Sequence, residues 1–97
     1  MVFNLSKITG IGKFEKKSEK ERELFYVKTK VFLVLNKNTL EVRCDEKLSK
    51  LLKEKYESVM ESRYFGRGGI EIVPAGQLKA DEIEDLVRLS YNLTAEN

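Results

Sequence analysis

The chain has 97 residues, 18 Lys and Arg against 16 Asp and Glu, no histidine and one cysteine. That length fits one domain with a small core, and the composition excludes an internal disulfide, a Ser–His or Cys–His catalytic pair and a structural zinc site. No apolar run nears the ~20 residues of a membrane span, and Met1-Val2-Phe3-Asn4-Leu5 lacks the pattern of a signal peptide, so a cytoplasmic protein with no membrane partner is expected.

Residues 1–22 space Ile8, Ile11 and Phe14 by three, but Gly10 and Gly12 oppose a helix there. The alternating charges from Lys13 to Arg22 read as an exposed element, with a first strand over residues 13–17 and a turn over 18–20. Residues 23–27 (Glu-Leu-Phe-Tyr-Val) are strand formers. After the polar Lys28-Thr29-Lys30, residues 31–35 (Val-Phe-Leu-Val-Leu) are apolar on both faces, which marks a central strand. Asn36-Lys37-Asn38-Thr39 signals a turn. Leu40-Glu41-Val42-Arg43-Cys44 then alternates, with Leu40, Val42 and Cys44 directed to the core and Glu41 and Arg43 outward. These strands read as an antiparallel meander.

Asp45 suits an N-cap, and Leu48, Leu51, Leu52, Tyr56, Val59 and Met60 recur at helical spacing, which predicts a helix over residues 45–61. Residues 62–69 read as a loop, residues 69–73 as a short strand ended by Pro74 and Gly76, and residues from Ala80 onward as a second helix. That helix turns Ile83, Leu86, Val87, Ser90, Tyr91 and Leu93 or Thr94 inward. Its early Asp81, Glu82, Glu84 and Asp85 complement the positive end of the helix dipole, so they have a structural explanation. The order is ββββ-α-β-α.

No catalytic or metal-binding constellation emerges, and neither an enzyme nor a cofactor is expected. Cys44, on the apolar side of a strand, reads as an inert buried thiol. Gly66-Arg67-Gly68-Gly69 lacks the Lys-Ser/Thr of a phosphate loop and enters a strand rather than a helix. Charge is unevenly distributed: residues 1–67 hold 16 basic and 10 acidic side chains, residues 68–97 hold 2 and 6. The candidate binding element is Arg63-Tyr64-Phe65-Gly66-Arg67, because arginines contact phosphates and aromatic rings stack on bases. Lys47, Lys50 and Lys53 on the first helix form a second basic element.

Leu40-Glu41-Val42-Arg43-Cys44-Asp45-Glu46 followed by an amphipathic helix near Lys55-Tyr56 resembles the MmcQ/YjbR family. Residues 27–35, with Lys30 and Phe32, resemble the family's preceding strand, and Leu89-Ser90-Tyr91-Asn92-Leu93 resembles its closing Ser-Tyr-Asp/Asn-Leu helix. The resemblance spans residues 27–94 and implies a single domain over 1–97 with a CyaY-like (frataxin-like) α+β fold: an antiparallel sheet with two helices packed on one face. It also implies DNA as a partner, since family members are commonly labelled DNA-binding. Two features depart from the pattern. Residues 1–22 do not read as the family's usual opening helix, and Arg67-Gly68-Gly69-Ile70 holds no tryptophan where a basic–tryptophan step is usual. The expectation is a nucleic-acid-binding accessory protein using Lys47, Lys50, Lys53, Arg63, Tyr64 and Arg67; the alternative is a protein-interaction or regulatory module that binds no nucleic acid.

Overall fold

The computed structural model describes residues 8, 10–74 and 76–96; Met1-Val2-Phe3-Asn4-Leu5, read above from sequence, lies outside them. Six strands form one antiparallel sheet: β1 (Glu15–Ser18), β2 (Arg22–Val27), β3 (Lys30–Asn36), β4 (Leu40–Arg43), β5 (Val59–Ser62) and β6 (Gly66–Ile72). Helix α1 (Glu46–Lys55) links β4 to β5, and α2 (Ala80–Ala95) follows β6. In space the strands run β1-β2-β3-β4-β6-β5. Both helices pack on one face: Leu48 and Leu52 of α1 join Ile83, Val87 and Tyr91 of α2 over Phe25, Phe32, Val42, Ile70 and Ile72. The expected α+β class, with two helices on one side of an antiparallel sheet, is what forms.

Local chemistry accounts for these elements. The wholly apolar run in β3 places Phe32, Leu33 and Val34 out of solvent, as a central strand requires. A register shift in the β2–β3 ladder at Phe25/Tyr26 lets both Phe32 and Leu33 serve the helix side, while Val31 and Val34 serve the other. The β2–β3 turn is made by Lys28 and Thr29 with φ of 51° and 68°, the left-handed pair that a two-residue hairpin needs. Neither residue type favours that region. Asn36 N–H donates to the Thr39 carbonyl at 2.8 Å and closes the expected β3–β4 turn.

Ser90 fastens α2 to the sheet. Its hydroxyl donates to the Phe32 carbonyl at 2.6 Å and accepts from Arg43 N–H at 2.7 Å. Tyr91 meets the Phe32 ring edge-on at 5.0 Å and donates to the Lys13 carbonyl at 2.9 Å, tying down the segment before β1. Of the two candidates for the last inner position of α2, it is Thr94 that is buried.

The first helix is shorter than its sequence period predicts. Asp45 caps it, Oδ1 accepting from Leu48 N–H at 2.9 Å, but the chain turns extended at Tyr56 rather than continuing to Glu61. Residues 59–62, read above as helix end and loop, pair instead with β6. Val59 and Met60 fit both a helical and a two-residue period, and the ladder decides: it satisfies the backbone and buries Val59 against the core. The order is therefore ββββ-α-ββ-α. The shortened helix also leaves Leu51 outside the inner stripe, 61% exposed. Leu51→Glu should change unfolding free energy by no more than about 0.5 kcal/mol, and Leu52→Glu should lower it by about 2 kcal/mol in urea denaturation. Equal costs would contradict this packing.

Candidate nucleic-acid interface

The sheet face away from the helices is apolar at its centre, where Leu24, Val31 and Val34 are buried. No helix covers it. Ser62 at the end of β5 and residues 63–65, which join it to β6, fold back over it, and Phe65 packs against that cluster, as does Tyr26. Glycine makes this possible at two points. Gly66 turns the chain with φ of +63°. Gly69 leaves room beneath Phe65, because a Cβ there would lie 2.6 Å from both the Phe65 Cβ and the Val42 carbonyl oxygen.

Two carboxylates anchor the folded-back segment. Glu41 of β4 and Glu71 of β6 are directly opposite in the ladder, 2% and 4% exposed. The alternation in β4 sends Glu41 outward, away from the helices, but residues 62–65 cover it, so it is not solvated as the sequence pattern implies. Each acid has its own donors. Glu41 accepts from Ser62 Oγ at 2.7 Å, Tyr64 N–H at 2.9 Å and Asn36 Nδ2 at 2.8 Å. Glu71 accepts from Arg63 Nε at 2.9 Å and Nη2 at 2.7 Å, and from Thr39 Oγ1 at 2.7 Å. Burial pushes the Glu71 carboxyl up, but the Arg63 fork and the Thr39 hydroxyl outweigh it and hold the group below the ordinary glutamate range. Glu71 is thus paired with a guanidinium, while Glu41 on the neighbouring strand is held by uncharged donors.

Arginines surround this covered patch. Arg22 lies over the Tyr64 ring at 5.4 Å and Arg43 over the Phe65 ring at 4.9 Å, the latter also donating from Nε to the Val31 carbonyl at 2.8 Å. Arg63 keeps its side chain 74% exposed while its fork holds Glu71. Arg67 is exposed at the start of β6, in a turn closed by Gly68 N–H donating to the Phe65 carbonyl at 3.3 Å. Arg22, Arg43 and Arg63 share one sheet face. Beside them an open groove runs between the β1–β2 and β3–β4 turns, with Lys20 and Lys37 on its rims and Arg63 and Tyr64 along its side.

The six residues singled out in the sequence do not converge. Arg63 and Tyr64 stand on this open face, and Arg67 is exposed at the start of β6. Lys47, Lys50 and Lys53 belong to α1 in the helical layer, where Lys53 pairs with Glu61 of β5 at 3.7 Å. Arg22 and Arg43 were not singled out by sequence. Both alternate with core residues of their strands, but their meeting with Tyr64 and Phe65 depends on the fold-back, which local pattern does not encode. Cys44 is buried, and burial together with the Asp45 charge pushes its thiol up to about 11, which keeps it protonated and unreactive near neutrality.

No curated protein matches the chain. A crystal structure of a protein from Pseudomonas syringae, a structural-genomics target, is similar in fold, with a TM-score of 0.72 and 17% identity over 84% of this chain and 86% of that one. The sequence model of the YjbR family matches residues 12–93, from ahead of β1 to the last turn of α2. That stretch holds every strand of the sheet and both helix faces that cover it, and on that match the chain belongs to the YjbR family.

Proposed function

We propose that the open sheet face binds the phosphate backbone of nucleic acid. One observation carries the reading: Arg22, Arg43 and Arg63 stand on that face beside the Tyr64 and Phe65 rings, while the two acids on the inner strands of that face are buried and held by donors within the fold. The Arg63 fork holds Glu71 and Arg22 pairs with Glu19, so the positive groups left for phosphate are Lys20, Lys37 and Arg67, which make no ion pair among the described residues. Phosphate contacts supply most of the affinity and its salt dependence. The acidic first turns of α2 lie in the other layer and would face away from the ligand. Lys47 and Lys50 lie in that layer too, so they are not part of the proposed surface.

Arg67 and Lys37 are exposed and make no ion pair among the described residues, which makes them clean probes. Arg67→Ala with Lys37→Ala should leave the urea midpoint unchanged and weaken DNA binding in fluorescence anisotropy. It should also reduce the slope of log K against log salt by about 2. Lys47→Ala with Lys50→Ala should change neither. Absence of DNA binding by the unaltered chain at about 50 mM salt would overturn the proposal and turn attention to a protein partner.

A further inference from the structure

We infer that the open face takes a single strand in preference to a duplex, an inference that rests on the nucleic-acid reading above. The groove lies between the turns joining β1 to β2 and β3 to β4, at one end of the sheet. Those turns are two strand spacings apart, about 10 Å. A B-form duplex has a major groove of about 12 Å and a minor groove of about 6 Å, so the whole duplex is wider than this cleft and could only rest on its rims. One sugar–phosphate chain fits between them.

The charges inside the cleft suit such a chain. Glu19 is taken up by Arg22 at 2.7 Å and Glu23 by Lys16 at 3.2 Å. Glu41 lies buried beneath residues 62–65. Lys20 and Lys37 make no ion pair among the described residues, and Glu21 is the remaining unpaired acid. Tyr64 borders the same cleft, 39% exposed, with Arg22 and the Phe65 ring holding it in place. A ring already held loses little freedom when a base stacks on it, and unpaired bases present the faces that a duplex conceals.

The test is fluorescence anisotropy at about 50 mM salt, using a labelled deoxythymidine oligomer of about 16 nucleotides and a duplex of the same length. The single strand should bind at least about tenfold more tightly. Tyr64→Ala should lower single-strand affinity about tenfold and leave duplex affinity nearly unchanged, while Tyr64→Phe should keep the preference. Urea midpoints confirm that both variants fold. A duplex that binds as tightly as the strand would overturn this inference and leave the nucleic-acid reading standing. Loss of all binding would overturn both. A folded Tyr64→Ala variant with unchanged single-strand affinity would remove the ring from the site and overturn the inference in this form.

Discussion

Glu41→Leu is expected to lower the unfolding free energy by about 3 kcal/mol, although a leucine fits an apolar surrounding better than a carboxylate does. The carboxylate accepts three hydrogen bonds, from Ser62, Tyr64 and Asn36, and its removal leaves those donors without a partner. A buried donor left unsatisfied costs about 1–3 kcal/mol. Asn36 sits at the turn and can reach water, so the loss falls mainly on the backbone of residues 62–65. Glu21→Leu, at an exposed position, should change stability by no more than about 0.5 kcal/mol. Urea denaturation with an unchanged m-value measures both. Equal, small effects would mean that Glu41 is solvated and that residues 62–65 are not anchored to it.

The second large effect is expected at a glycine. Gly69→Ala should cost about 2–3 kcal/mol, because the added methyl meets Phe65 and the Val42 carbonyl oxygen, each at 2.6 Å. Gly68→Ala is the control, since the nearest atom to its Cβ is the Phe65 carbonyl oxygen at 3.6 Å, an ordinary contact. The two positions are adjacent in one strand and have similar propensity costs, so the difference isolates the contact. In a Phe65→Gly background the Gly69→Ala cost should shrink, because the Phe65 Cβ, one of the two obstructions, is gone. A cost unchanged by that background would assign the whole effect to the Val42 backbone and show that Phe65 does not rest on Gly69.

Much of the fold is legible in the sequence, for reasons that differ by element. The apolar run in β3 and the alternation in β4 report burial directly, and Asp45 marks the start of α1 through its capping chemistry. The residues around Val59 are not legible in this way, because their apolar spacing serves two periods and only pairing with β6 chooses between them. Glu41 shows the same limit at the candidate site. Its place in the alternation gives the correct side of the sheet, but the cover over that side comes from residues more than twenty positions later. Arg63, Tyr64 and Arg67 are recognisable as binding-type residues from composition alone, whereas Arg22 and Arg43 join the surface of Arg63 and Tyr64 only through long-range packing.

The strand order has a consequence for how the chain closes on itself. Every neighbouring pair but one is a hairpin between successive strands, and the exception is β4 with β6, where Leu40 meets Ile72 and Arg43 meets Gly69. Loop-closure entropy is therefore concentrated in a single seam joining a four-stranded meander to a two-stranded ribbon. Glu41 and Glu71 face each other across that seam. Joining the two halves also strips water from both carboxylates, so the step that makes the sheet continuous is the step that requires Arg63, Thr39 and Ser62 to be in position.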